Sequence, residues 1–218
     1  LDQIYDLDGD MQRDLSEEII NDAERWRHDW SYELPNLRSL RLGTGLHDFS
    51  SIKASSLDDV FLYGANITSF KGIGHARKIE ISVESYPSLE GLEDSPIENF
   101  SVYYNREEGD LPDLSLMPRL LNLQTLRIGS ILTTAHQKQL MGCGQIERLE
   151  AGSYKGDLGF LNGWDNIAEL DLRNSGFLEG IDAVEALPNL KRIRLRGSEM
   201  KRDAWPKSLQ DVLDYMGT

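Results

Sequence analysis

From residue 37 the chain repeats one short pattern, apolar-x-x-apolar-x-apolar, eight times: LRSLRL (37–42), LDDVFL (57–62), ARKIEI (76–81), IENFSV (97–102), LQTLRI (123–128), IERLEA (146–151), IAELDL (167–172) and LKRIRL (190–195). The starts lie 20, 19, 21, 26, 23, 21 and 23 residues apart. Period-two alternation across the end of each copy predicts one short strand per unit with one side buried. A unit of about 22 residues cannot bury that side alone, so neighbours must stack and share a continuous core. Units this short leave little room for full helices behind the strands, and turns or 3₁₀ segments are expected there. TTAHQKQLMGC (133–143) is the exception and can hold a short helix.

The flanks carry a different period. Leu15, Ile19, Ala23, Trp26 and Trp30 recur at helical spacing behind a D-x-x-E capping box, Asp14 and Glu17, which predicts a helix over about 15–30. Leu209, Val212, Leu213 and Met216 do the same in SLQDVLDYM (208–216). These two segments are expected to cover the ends of the stack.

The motif residues Leu37/Leu40/Leu42, Leu57/Val60/Leu62, Leu123/Leu126/Ile128, Ile167/Leu170/Leu172 and Leu190/Ile193/Leu195, with LPNL at 34–37 and again at 187–190, resemble the leucine-rich-repeat superfamily. The likeness is closest to its short-repeat bacterial and internalin-like members, and it covers about residues 34–197. It implies an α/β fold: a right-handed solenoid with a parallel sheet on the concave face, turns, 3₁₀ or short helices on the convex face, and helical caps at both ends. The implied division is an acidic N-terminal cap (1–33), a solenoid of about eight repeats (34–197) and a C-terminal cap (198–218), all one structural domain. The asparagine usual after the strand is missing from several copies, where Ala65, Tyr154 and Ser175 occupy or neighbour that step and Asn66 and Asn174 are displaced by one. Other groups must therefore satisfy some of the turns.

Charge changes the picture more than composition does. The net charge is −14, but residues 1–33 hold eleven acids against three arginines, whereas residues 190–218 hold seven bases against four acids. The molecule is expected to be electrically polar along its length. An acidic total disfavours nucleic-acid binding, which depends on a basic surface for phosphate contacts. No run of 18 or more apolar residues occurs, so membrane insertion is not expected. The single cysteine, Cys143, cannot form an internal disulfide, which points to a reducing, cytoplasmic setting.

In the acidic stretch DLDGDMQRDLSE (6–17), Asp6, Asp8, Asp10, Asp14 and Glu17 stand at ligand steps of an EF-hand loop. That loop needs glycine at its sixth step, where this chain has Met11, and an entering helix, for which only five residues precede Asp6. The helix-cap reading is preferred, and calcium is not expected. Catalytic motifs are missing too: His28, His47, His75 and His136 are scattered, and no HExxH, CxxC, GxSxG or GxxxxGK[ST] occurs. GIGHA (72–76) reads as a turn between units. Cys143 as a nucleophile would need His136 as its base, and a buried packing role is preferred. Neither catalysis nor a cofactor is expected.

Solvent-facing positions of successive strands should instead merge into one surface for a partner protein. The central x position reads Arg41, Phe61, Glu80, Ser101, Arg127, Glu150, Asp171 and Arg194, and the residue past each strand adds Tyr63, Tyr103 with Tyr104, Arg173 and Arg196. Phe61, Tyr63, Tyr103 and Tyr104 suit interface anchors, or else they pack on one another across strands. Arg173, Arg192, Arg194 and Arg196 could take carboxylates or a phosphorylated segment, or else pair laterally with Glu150, Glu169 and Asp171. YYNREEGDLPDLS (103–115) is either a recognition loop or a solvated excursion. The reading is a non-enzymatic recognition module; the alternative is the substrate-selecting or sensor part of a longer enzyme, such as a bacterial ubiquitin ligase or an NTPase.

Overall fold

Each of the eight predicted strands forms. The computed structural model describes residues 4–6, 32–33, 38–42, 49–50, 52–53, 57–63, 68–82, 86–93, 95–103, 111–129, 132–152, 154, 156–176, 178–197 and 205–214. The repeat strands are β3 (Ser39–Leu42), β5 (Asp59–Tyr63), β6 (Lys78–Ser82), β7 (Asn99–Tyr103), β8 (Thr125–Ile128), β9 (Arg148–Ala151), β11 (Glu169–Asp171) and β13 (Arg192–Arg194). They pair in parallel, each with the one before and after it, in a single ten-stranded sheet. Its outer strands are β1 (Ile4–Asp6) beside β3, and β14 (Leu213–Asp214) beside β13. The chain is thus an α/β protein with a long parallel sheet and few helices, compatible with a solenoid-like fold.

The alternation explains which side is buried. Val60 and Leu62, Ile79 and Ile81, Phe100 and Val102, Leu126 and Ile128, Leu149 and Ala151, Leu170 and Leu172, and Ile193 and Leu195 are all at most 1% exposed. The first apolar residue of six motifs, Leu57, Ala76, Ile97, Leu123, Ile146 and Ile167, turns into the same core, and Leu190 packs against it partly buried. One backbone device recurs at the entry to the strands. The carbonyl of Arg38 accepts from both Asp58 and Asp59 N–H, that of Asp58 from Arg77 and Lys78, that of Arg77 from Glu98 and Asn99, and that of Glu98 from Gln124 and Thr125.

A second device ties the turns together. Ser95 Oγ donates to Gly74 O, Gln145 Nε2 to Met117 O and Leu120 O, Asn166 Nδ2 to Gly144 O, and Asn189 Nδ2 to Asp165 O. In each case a polar side chain of one unit satisfies a turn carbonyl of the unit before it, which supplies partners that the strands cannot provide. Past the strand, Tyr154 satisfies the following turn: its buried hydroxyl donates to Asp157 O at 2.6 Å and accepts from Gln137 Nε2 at 2.8 Å. Asn174 sits in the left-handed region at φ 57°.

Away from the long sheet lie 3₁₀ turns at Met117–Arg119 and Leu158–Leu161, helix α1 (Thr134–Leu140) and helix α2 (Ile181–Glu185). Helix α1 falls inside the expected 133–143 segment and starts on a capping box in which Thr133 and His136 bond reciprocally. Two features were not expected there. β2 (Tyr32–Glu33) pairs with β4 (Ile52–Lys53), and β10 (Gly156–Asp157) with β12 (Leu178–Glu179), both in parallel.

The expected C-terminal cap helix over 208–216 is corrected. Lys207–Leu209 is a 3₁₀ turn, and Leu213–Asp214 is strand, with Ile193 N–H donating to Val212 O. A helix here would have left the backbone edge of β13 without partners, and pairing wins over the helical spacing. The expected helix at about 15–30 lies outside the described residues, as does the EF-hand-like stretch beyond Asp6, which is the last residue of β1.

Candidate functional site

Parallel pairing in constant register turns the x positions of the motif into rows across the sheet. The middle row runs Arg41, Phe61, Glu80, Ser101, Arg127, Glu150, Asp171, Arg194, each residue directly beside the next. Seven strand-to-strand steps of about 4.8 Å make it roughly 34 Å long. A row on the N-terminal side of the strands reads Ser39, Asp59, Lys78, Asn99, Thr125, Arg148, Glu169, Arg192. On the other side Tyr63, Ser82 and Tyr103 are in register. That row continues past the strand ends to Arg173 and Arg196, because Leu172 N–H donates to Arg194 O and Asn174 N–H to Arg196 O. The expected residues Arg41, Phe61, Tyr63, Tyr103, Arg127, Arg173, Arg192, Arg194 and Arg196 therefore share one face. Tyr104 and residues 105–110 of the long interval lie outside the described residues.

The C-terminal half of this face is a lateral network of ion pairs. Arg127 Nε lies 3.1 Å from Glu150, which Arg148 also reaches. Arg148, Arg192 and Arg194 converge on Glu169 at 3.7, 3.8 and 3.7 Å. Asp171 is the anchor: its side chain is 4% exposed, its Oδ1 accepts from Arg173 Nε at 2.8 Å and from Arg173 N–H at 3.2 Å, and Arg194 lies 3.6 Å from Oδ2. The hydrogen bond to Asp171, more than its charge alone, pushes the Arg173 guanidinium pKa further up. Each exposed pair is worth only about 0.2–1 kcal/mol, so the network orients side chains more than it holds the fold. Arg148 belongs to it and was missed in the sequence, although it stands at the second x of the same motif as Glu150.

The aromatic half is arranged differently. Phe61 lies between two cations, with the Arg41 guanidinium 5.1 Å and the Lys78 ammonium 4.8 Å from its ring centre. Tyr63 and Tyr103 stand on either side of the small Ser82 and are 37% and 36% exposed. Among the described residues no ring contact links these three aromatics. Burial first, and then the charge of Glu80, raise the Tyr63 hydroxyl pKa. Between the halves, Ser101 is fully buried beneath its neighbours with no hydrogen-bond partner for its hydroxyl among the described residues.

Cys143 is fully buried, and desolvation pushes its thiol pKa up to about 12. At pH near 8 the thiol should stay protonated and shielded. An aromatic disulfide reagent is expected to label no thiol in the native protein and one per chain in strong urea; rapid native labelling would contradict full burial of the thiol.

Among the described residues no cluster of three or more His, Cys, Asp or Glu side chains could hold a metal ion, and no helix is long and apolar enough to cross a membrane. No protein-family model matches the chain, and no curated protein matches it.

Proposed function

We propose that the chain is a leucine-rich-repeat solenoid that acts, without catalysis, as a recognition module binding another protein through the concave face of its long sheet. The observation that carries this reading is the constant register, which gathers residues from Arg41 to Arg194 into one continuous row beside two half-exposed tyrosines. Tyrosine and arginine are the side chains that most often dominate interface energetics. The row of about 34 Å is long enough for an extended segment of roughly ten residues.

The test is affinity capture from a lysate of the source cells, with proteins identified by mass spectrometry. Wild type is compared with a Phe61→Ala/Tyr103→Ala/Arg194→Glu variant whose circular dichroism spectrum is unchanged. The variant is expected to lose a protein that the wild type retains. Identical captures, or none by either form, would count against the concave face.

A further inference from the structure

We infer that the Arg173–Arg196 end of the face takes the carboxylates of an acidic, extended segment of the partner, resting on the concave-face reading above. Charge order along the rows points there. In the middle row Arg127, Glu150, Asp171 and Arg194 place every cation beside a carboxylate, and in the row before it Arg148, Glu169 and Arg192 alternate strictly. The third row breaks the order: Arg173 and Arg196 are direct neighbours with no carboxylate between them. Like charges side by side on a sheet are destabilising until an anion bridges them. Arg173 is already held by Asp171 through its Nε, and Arg196 is exposed and forms no ion pair among the described residues. Across the C-terminal half, six arginines (127, 148, 173, 192, 194 and 196) meet four carboxylates (150, 169, 171 and 214, the last paired in register with Arg194), a local excess of two positive charges on a chain of net charge −14.

The floor next to this pair is bare. The steps before Arg173 in the same row are Gly152 and Gly129, and beyond them stands Tyr103. A side chain at Gly152 would meet nothing nearer than Arg173 O at 3.8 Å, whereas one at Gly129 would press on the Tyr103 ring at 3.0 Å. The row therefore forms a trough with two guanidinium groups at one end, a tyrosine ring at the other, and glycine backbone between. Three strand steps, about 14 Å, separate Arg173 from Tyr103, which about four extended residues span. Glu150, Glu169 and Asp171 lie within the same network and repel a dianion, so the geometry favours singly charged carboxylates over phosphate.

The probe is a fluorescein-labelled peptide carrying two adjacent glutamates, then three glycine or serine residues, then a phenylalanine; its twin carries glutamines. Anisotropy titration of the full chain is expected to show the glutamate peptide binding about tenfold tighter than the twin at about 0.1 M salt. The difference should vanish near 1 M, where the screening length falls from about 10 to about 3 Å. Arg173→Gln/Arg196→Gln should remove the preference, and Arg196→Glu alone serves if the double variant misfolds. Equal binding of the two peptides, no binding of either, or a preference that survives both variants overturns the acidic occupant. Tighter binding of a phosphoserine twin overturns the carboxylate assignment. Lost capture in the Phe61/Tyr103/Arg194 variant together with equal peptide binding sinks this inference alone, whereas unchanged capture sinks the concave-face reading beneath it.

Discussion

Trp164→Ala is expected to lower the unfolding free energy by about 3–5 kcal/mol, the range for removing a buried tryptophan or phenylalanine. The indole is fully buried, with the Phe160 ring edge-on at 5.7 Å, and Phe160 in turn meets Tyr154 at 6.0 Å. Its N–H has no hydrogen-bond partner among the described residues, so the substitution strands no polar group and the loss is one of apolar contact and cavity alone. Trp164 also sits within a turn, accepting from Ile167 N–H and donating to Leu161 O, so collapse around the cavity is limited by backbone bonds on both sides. Against a total stability of about 5–15 kcal/mol, the variant should be marginal at room temperature. Urea denaturation followed by fluorescence of the remaining tryptophans and by circular dichroism measures it. A loss below about 1.5 kcal/mol would show that the cluster collapses freely onto the vacated space.

The second large effect separates two kinds of glycine. Gly91 has φ 98°, and a Cβ there would lie 2.5 Å from Lys71 N and 2.6 Å from Lys71 Cα. The turn stacks directly on the preceding one, with Phe70 N–H donating to Glu90 O. Gly163 has a similar φ of 83°, but nothing lies within 4 Å of its Cβ position. Gly163→Ala should therefore cost only left-handed strain, about 1–2 kcal/mol. Gly91→Ala should add the displacement of backbone atoms, about 1–3 kcal/mol more. Parallel thermal melts compare the two. Equal losses would mean that close stacking of turns at Gly91 contributes nothing.

The repeat strands and the middle row were legible because one rule, apolar every second residue, serves both period and register: once Leu40 and Ile193 face inward, Arg41 and Arg194 must face outward. What was missed obeys no such rule. Ile4–Asp6 is a short strand inside an acidic stretch, and its place comes from the open edge of β3 rather than from its own pattern. Leu209, Val212 and Leu213 fit a helical stripe equally well, and only the unpaired edge of β13 decides for strand. β10 contains Gly156 and Asp157, two residue types depleted in strands, and exists because Leu178–Glu179 lies beside it. The polar ladder between turns did leave a trace, since Gln145, Asn166 and Asn189 each directly precede the first apolar residue of a motif. In the site, outward orientation and lateral pairing of the arginines with Glu150, Glu169 and Asp171 could be read from sequence, but the part played by Arg148 and the choice of which arginine meets which carboxylate could not, because they depend on neighbours about 22 residues away.

The ladder of turn amides also has a bearing on descent. Gln145, Asn166 and Asn189 each reach only to the unit before, and each repeat strand of the long sheet bonds only to the strands flanking it in that sheet, one from the stretch before and one from the stretch after. Duplication or deletion of the unit that begins at Asn166 leaves its junctions with the same parallel backbone pairing, a turn amide that reaches back one unit, and an apolar edge. The gene can thus lengthen or shorten the protein in whole modules, with Arg127, Glu150 and Asp171 behaving as exchangeable letters on a frame that does not change.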